Sequence, residues 1–207
     1  MVVLPMKAIH IIGDGCAGLS LAARADDMPD YKITLIIPQE APPPQEHIWG
    51  FWRLPGLNAA AELAHQAWTT WRIVTDETSA ELTSLSHPYH ALYRSRWEAH
   101  CRARAEEAGV QFVNQHETTV DPSIQILDSR PSPIPRGQLM QHFIGWEVAA
   151  ETEAFNPKIA TLMDFRCDQS RGIHFIYVLP FSDSEALIES TMFSSQREPD
   201  NFFETAI

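Results

Sequence analysis

Apolar positions along the chain follow two kinds of pattern, and the change from one to the other divides the sequence. Ala8-Ile9-His10-Ile11-Ile12 is a short apolar run of the kind a buried parallel strand requires. Gly13-Asp14-Gly15-Cys16-Ala17-Gly18 follows, and the Ala- and Leu-rich stretch 19–25 predicts a helix that Pro29 and Asp30 end. Lys32-Ile33-Thr34-Leu35-Ile36-Ile37 predicts a second strand. Residues 38–58 contain Pro38, Pro42, Pro43, Pro44 and Pro55 and read as loop. Asn58 is placed to cap a helix from Ala59 to about Ala67, and 69–75 reads as a strand. Ser95-Arg96-Trp97-Glu98 has capping-box form, so a helix is expected from there to Gly109, with a strand over 110–113. A second turn-rich zone covers 121–137. Beyond it, 143–148, 160–165, 174–179 and 186–191 are short apolar or alternating runs, separated by turn residues such as Asn156-Pro157 and Arg171-Gly172. That is the pattern of antiparallel sheet, and no helix is apparent after it. The fold class expected is α/β. A Rossmann-like dinucleotide-binding region spans 1–137, and the start of a β-rich antiparallel domain spans 138–207.

Composition narrows the function classes. Of 207 residues, 44% are hydrophobic and 20% charged, so a packed core is expected. Fifteen Lys and Arg against 27 Asp and Glu give a net charge of −12. Such a surface repels phosphates, which argues against nucleic-acid binding through a broad basic face. It also disfavours electrostatic docking on anionic lipid and leaves hydrophobic contact with a membrane open. Cys16, Cys101 and Cys167 are far apart and form no C-x-x-C, so neither a disulfide framework nor a zinc knuckle is expected, and a reducing cytosol fits. No segment reaches the ~18 consecutive apolar residues of a membrane span. The first twelve residues lead straight into the glycine loop without an A-x-A site, so they read as a strand rather than a signal peptide.

The first candidate chemistry is Gly13-x-Gly15-x-x-Gly18, between a strand and a helix. The first glycine permits the tight turn, the second lets the backbone approach a pyrophosphate, and the third lets helix pack on strand. The pattern also asks for an acidic residue at the end of the second strand to bind an adenosine ribose. Ile37 stands there, so either Glu40 reaches the ribose from the loop or the contact is missing. His87 and His90 lack further ligands nearby, and the proline between them argues for a turn, so no metal is expected. Arg94, Arg96, Arg102 and Arg104 alternate with Glu98, Glu106 and Glu107, as on a solvated helix face. In Leu187-Ile188-Glu189-Ser190-Thr191, alternation puts Glu189 on one face with Leu187 and Thr191. A carboxyl on such a face is partly buried, with its pKa raised, and is a candidate general acid; an exposed strand position is the alternative. Asp164 carries the same ambiguity.

Taken together, these segments resemble bacterial-type lycopene β-cyclases, flavoproteins of carotenoid biosynthesis. Ile11 to Gly18 is similar to the family's FAD loop, His47-Ile48-Trp49-Gly50-Phe51 to its H-x-W-x-F element, and Phe143-Ile144-Gly145-Trp146-Glu147 to its F-x-G-x-E element. Met163-Asp164 resembles its M-D element, the stretch Phe175 to Ser182 its F-x-Y-x-L-P-x-S strand and turn, and Leu187 to Thr191 its L-I-E element. The resemblance implies a Rossmann-like FAD domain and a β-rich substrate domain. It implies isomerisation of the ψ-ends of lycopene to β-ionone rings, giving γ-carotene and β-carotene. FAD must be reduced, at the expense of NAD(P)H, without net redox change. Glu189 inherits the acid–base role and Asp164 a further site role. Gly13, Gly15, Cys16, Ala17, Gly18, Glu40, Arg96 and Asp128 are the implied cofactor-binding residues. Trp49, Phe51 and Trp52 are candidates for the substrate pocket or, equally, for an aromatic core. A cytoplasmic protein peripheral to the inner membrane is implied by the lipid solubility of lycopene.

The sequence departs from the family in places. Ser190 stands where a second acid often follows the glutamate, and Asp128-Ser129-Arg130-Pro131 stands where the family has D-G-R-G. Family members are longer, so the chain is expected to lack their C-terminal part. Other readings are another Rossmann-type flavoprotein oxidoreductase, which would show net redox turnover and have no need of Glu189, or a catalytically inactive fragment that binds a dinucleotide or a carotenoid without turnover.

Overall fold

The computed structural model describes residues 6–39, 45–115, 124–133, 135 and 137–207. The chain forms two units, Met1–Ile48 with Tyr93–Pro133, and Trp49–Leu92 with Ile134–Ile207. The stretch 49–92, which a linear division at 137 places with the front of the chain, therefore groups with the β-rich part.

In the first unit, alternating Ile9 and Ile11 of strand β1 (Lys7–Ile12) face the same way as Ile33 and Leu35 of β2 (Tyr31–Ile37), their parallel neighbour. These four side chains are buried with Leu19 and Ala22 of helix α1 (Cys16–Ala22). Cys101 and Ala105 of helix α3 (Arg94–Glu107) complete this core with Val110. Each large aliphatic side chain so buried contributes roughly 1.5–3 kcal/mol. Strands β8 (Gln111–Asn114) and β9 (Gln125–Asp128) flank the pair, giving a parallel sheet in the order β8-β2-β1-β9. Parallel strands with helices on the sheet match the Rossmann-like expectation.

Several local expectations are corrected. Helix α1 starts directly on the glycine loop, earlier than residue 19, and a 3₁₀ turn (Ala25–Asp27) follows it. Strand β9 lies inside the zone read as turn, and β3 (Ile48–Trp52) inside the loop of 38–58. Asn58 is the first residue of helix α2 (Asn58–Glu62) rather than its cap, and Ala67 already lies in strand β4 (Gln66–Trp68). The capping box of Ser95 is not made. Tyr93 precedes the helix, and the carboxylate of Glu46 accepts the Ser95 N–H at 3.2 Å instead. A remote carboxylate thus satisfies an N-terminal donor of α3, where negative charge also suits the helix dipole. Gly109 ends α3 as expected, with φ +77° and the Val110 N–H returning to the Ala105 carbonyl at 2.9 Å.

The second unit holds a six-stranded sheet in the order β10-β13-β12-β11-β5-β6. Its strands are β5 (Thr70–Val74), β6 (Ser79–Thr83), β10 (Met140–Ala149), β11 (Ile159–Asp164), β12 (Ile173–Pro180) and β13 (Glu185–Ser194). The last four pair antiparallel, as their alternation predicts, whereas β11 and β5 are parallel. A small sheet, β3-β7-β4, includes β7 (Tyr89–Tyr93), which begins within the supposed turn at His87 to His90. A short helix, α4 (Asp200–Glu204), follows β13, contrary to the expectation of none.

One face of the large sheet carries a buried polar pair under α4. His174 Nε2 lies 2.7 Å from Ser190 Oγ, and His174 Nδ1 lies 3.0 Å from the Asp168 carbonyl. A carbonyl only accepts, so Nδ1 carries the proton and Nε2 accepts from the serine hydroxyl. Phe202 and Phe203 of α4 pack on the same imidazole, at ring distances of 5.1 and 6.2 Å.

Two stability predictions follow from this packing. A Cβ at Gly18 would run into the Gly13 carbonyl oxygen, which is backbone and cannot move aside, whereas one at Gly15 would meet nothing within 4 Å. Gly18→Ala is expected to cost about 1–3 kcal/mol and Gly15→Ala less than about 1 kcal/mol, measured by thermal melting. Ser190→Ala strips His174 Nε2 of its donor and is expected to cost about 1–3 kcal/mol in a denaturant titration.

Candidate functional site

In the first unit the glycine loop has the geometry its spacing predicts. Gly13 sits at φ +105°, a conformation side chains disfavour, and a Cβ there would press on Ser129 Oγ at 2.5 Å. Gly15 precedes α1 in extended conformation, with open space where its side chain would be. The first intrahelical bond runs from the Leu19 N–H to the Gly15 carbonyl at 3.0 Å, and no side-chain hydrogen bond caps the helix start. The exposed Cys16 and Ala17 thus carry helix-start N–H groups without intrahelical partners. Ser129 closes the loop from β9, its hydroxyl donating to the Ile12 carbonyl at 2.8 Å. It takes the place of the first glycine in the family's D-G-R-G, and its side chain braces the turn.

The other cofactor candidates differ in their surroundings. Asp128 ends β9 opposite Ile12 and is bound by Arg130, whose Nη2 lies 2.7 Å from Oδ2 and Nε 2.9 Å from Oδ1. Those hydrogen bonds hold its carboxyl down at about 2, so it is ionised. Arg96 is exposed in the first turn of α3. Arg94, in the same turn, pairs with Glu98 at 2.7 Å, and both lie within electrostatic reach of Cys16. Glu46, the other acid near the second strand, accepts N–H groups from His47 and Ser95 and so serves α3. Glu40 lies outside the described residues.

In the second unit the register assembles a different site. Glu189 stands in β13 between Leu187 and Thr191 on one face, with Tyr177 of β12 directly opposite on one side and Gly145 of β10 on the other. Leu187 and Thr191 are buried, and Glu189 and Tyr177 are half-buried. The Thr191 hydroxyl donates to Glu189 Oε1 at 2.6 Å. Burial pushes the Glu189 carboxyl above its ordinary range, and the Thr191 hydrogen bond offsets only part of that. Burial likewise raises the Tyr177 and Tyr89 phenols, and the charge of Glu189 raises both further. A carboxyl and two phenols therefore share one neighbourhood.

Aromatic rings wall this neighbourhood. Tyr89 meets Trp52 edge-on at 4.9 Å, and Trp52 meets Trp71 at 4.4 Å. The Tyr89 hydroxyl lies over Gly50, where a Cβ would collide with it. Phe175 meets Tyr177 at 5.2 Å and Phe193 at 6.2 Å. Of the three aromatic candidates, only Trp52 joins this cluster. Phe51 stacks on His90 at 5.3 Å, and strand alternation puts Trp49 on the side of Phe51.

Asp164 is not brought to Glu189. It pairs in register with Ile176, the partner of Ser190, and so belongs to the opposite face of the sheet. Arg166 binds its carboxylate at 2.6 and 2.9 Å and holds the carboxyl below the usual range. As a permanent carboxylate it is the wrong state for a proton donor. Ser190 too faces away from Glu189, into the pair with His174. Tyr177, Tyr89 and Gly145 were not among the sequence-derived candidates. The strand alternation that singled out Glu189 also marks Tyr177 two residues after Phe175, whereas Tyr89 needs the three-dimensional pairing of β7. No group of three metal-ligating side chains gathers among the described residues.

Solved structures share this architecture. A geranylgeranyl bacteriochlorophyll reductase-like protein of Thermoplasma acidophilum aligns at a TM-score of 0.63 and 15% identity, over 97% of this chain and 60% of its own. A flavin-dependent halogenase from Xanthomonas campestris aligns at 0.61 and 11%, over 99% and 60%. A 2-methyl-3-hydroxypyridine-5-carboxylic acid oxygenase aligns at 0.59 and 15%, over 92% and 60%. The chain thus spans 60% of the length of each of these three proteins. A search of curated proteins gives no match. The family model described as lycopene cyclase protein matches residues 8–205, which include both the glycine loop and the strand of Glu189, and the chain belongs to that family.

Proposed function

We propose that the chain carries the FAD loop and the proton-transfer carboxyl of a lycopene β-cyclase, which converts the ψ-ends of lycopene to β-ionone rings, giving γ-carotene and then β-carotene. The observation that carries this reading is the half-buried Glu189, its pKa raised, on an apolar face with two phenols. A carboxyl whose pKa is raised by burial is the kind of group suited to protonate an unactivated double bond.

Proton transfer from Glu189 to a terminal double bond of the polyene leaves a tertiary carbocation and a carboxylate. The cation is attacked by a nearby double bond of the same chain, closing a six-membered ring and moving the charge onto a ring carbon. Loss of a proton from the adjacent carbon restores neutrality, and that proton returns to Glu189. Atoms and electrons balance with one carboxyl, as an isomerisation demands. Tyr177 beside Glu189, and Tyr89 with Trp52 at 4.9 Å, would supply aromatic rings able to stabilise such a cation.

The glycine loop fits a dinucleotide. Gly15 leaves open the space a pyrophosphate needs, Gly13 and Gly18 bring strand and helix together, and the Cys16 and Ala17 N–H groups are the donors that would meet it. Reduced FAD, with NAD(P)H as the source of its electrons, supplies an electron-rich ring system and no net redox change. Asp128 and Arg96 belong to the same unit and are proposed contacts to the cofactor. No helix among the described residues is long and apolar enough to cross a membrane. A cytoplasmic enzyme touching the inner membrane peripherally, where lycopene resides, is the proposed location.

Expression in lycopene-accumulating cells tests the reaction. The chain is expected to yield γ- or β-carotene, and Glu189→Gln to lower that yield by about 10²-fold or more. Cyclised product unaffected by the substitution overturns the role of Glu189, and lycopene unchanged by the chain overturns the activity. The raised carboxyl pKa has a signed consequence for stability. The protonated form stabilises the fold fully below the ordinary glutamate value of 4.5, and this contribution is lost as pH rises through the raised folded value. Glu189→Gln is therefore expected to melt increasingly above the wild-type chain as pH climbs through that window, and level with it below. Gly15→Val is expected to weaken FAD binding about tenfold or more in a flavin fluorescence titration, with a melting temperature close to that of the wild-type chain.

A further inference from the structure

Asp14 is an acid between the first two glycines of the loop, and strand pairing puts it at the carboxyl end of β2. Ile12 pairs with Ile36, and the Gly13 N–H donates to the Ile36 carbonyl at 2.9 Å. Asp14 is the next residue. It therefore stands near Ile37, the position at which the glycine motif calls for a ribose-binding acid. Its side chain is held on the same flank. Arg102 of α3 lies 3.5 Å from Asp14 Oδ2 through Nη2, and its guanidinium lies over the ring of Phe112 at 4.6 Å. Phe112 belongs to β8, opposite Leu35 of β2. The Asp14 carboxyl is thus kept on the β2–β8 side of the loop, whereas Ser129 and Arg130 approach from β9 on the other side. All of these residues belong to one unit.

An acid in a pyrophosphate loop costs affinity, because like charges repel at short range. As a structural tie it offers little: the Arg102 and Asp14 side chains are 38% and 31% exposed, and ion pairs of that exposure add little to stability. What the carboxyl does offer is acceptors. A carboxylate has about four lone-pair sites, and Arg102 engages only one oxygen. Among the described residues no donor is hydrogen-bonded to Oδ1, and the guanidinium at Oδ2 offsets the charge that phosphates would meet.

We propose that Asp14 supplies the ribose-binding carboxylate of the dinucleotide site, in place of an acid at the end of β2, and that Arg102 is its positioning residue. Asp14 Oδ1 accepts from the vicinal hydroxyls of the adenosine ribose, while Arg102 holds the carboxylate toward β2 and β8. The inference rests on the dinucleotide part of the proposed function and is independent of ring formation.

The test is binding by the full chain. FAD is titrated by flavin fluorescence, and ADP is compared with 2′,3′-dideoxy-ADP, which lacks both ribose hydroxyls, by displacement of FAD. The wild-type chain is expected to prefer ADP about tenfold. Asp14→Ala is expected to bind FAD about tenfold more weakly and the two nucleotides equally. Arg102→Gln is expected to keep a preference of about threefold, and a full preference there overturns its positioning role. Melting temperatures within a few degrees of wild type are expected for both variants. Should alanine melt well below that, Asp14→Asn, which keeps the size of the side chain, is read in its place. FAD binding by the Asp14 variant as tight as wild type, or tighter, overturns the proposal, since the acid then only repels phosphate. Weaker FAD binding with the preference for ADP intact also overturns it and puts the ribose contact elsewhere. A wild-type chain that binds neither FAD nor ADP overturns it together with the dinucleotide site. The expected binding series in a chain that forms no ring from lycopene supports the proposal and overturns the cyclase activity alone.

Discussion

Consecutive side chains of a strand point to opposite faces of its sheet, and in β13 this alternation separates two kinds of chemistry. Leu187, Glu189 and Thr191 face one way, and Ser190 faces the other, against His174. The two faces are sealed differently. Under α4, every polar atom of the His174 ring has a partner, and rings of Phe202 and Phe203 close over it. On the Glu189 face, the carboxyl has one hydroxyl donor, and the phenols beside it are themselves pushed toward their neutral forms. The first arrangement is a satisfied core. The second leaves a carboxyl shifted toward its protonated form.

The Glu189 environment decides between two opposing effects on one carboxyl. Desolvation favours the acid, and the Thr191 hydroxyl at 2.6 Å favours the carboxylate. Desolvation wins, because a single neutral donor cannot replace the hydration of an ion. Asp164 shows the reverse outcome only a short distance away in the sheet. There a bidentate guanidinium supplies two charged hydrogen bonds and outweighs partial burial. Carboxyls that look equivalent in an apolar sequence context are thus shifted in opposite directions, and the difference lies in Arg166, two residues further along the chain.

What could be read from the sequence follows the range of the interactions involved. The glycine loop is local: Gly13, Gly15 and Gly18 each answer a demand made within a few residues, and all three have the geometry their spacing implies. The antiparallel runs of the last third are also local, because alternation alone defines them. Strands β3 and β9 were hidden inside proline-rich stretches, since prolines near a strand mask it while its pairing partner is far away in sequence. The caps failed for a similar reason. Ser95 has the right spacing to cap α3, yet Glu46, almost fifty residues earlier, reaches the same N–H. Glu189 was legible by face, whereas its companions Tyr89 and Gly145 are neighbours only through strand pairing.

Ser129 and Ser190 stand where the family pattern would have a glycine and an acid, and the structure accounts for both without invoking lost chemistry. Ser129 fits because its hydroxyl finds the Ile12 carbonyl, and its presence is part of what requires glycine at position 13. Ser190 fits because the face it points to asks for a hydrogen-bond donor to imidazole rather than for a charge. An acid at 190 would bury a carboxyl against the His174 imidazole, and that change would act on the far side of the sheet from Glu189. A second carboxylate adjacent in sequence therefore cannot share a substrate with the first across an intact strand. On the face of Glu189 itself, by contrast, stand the Tyr177 and Tyr89 phenols and, across from Leu187, the carboxyl of Glu147.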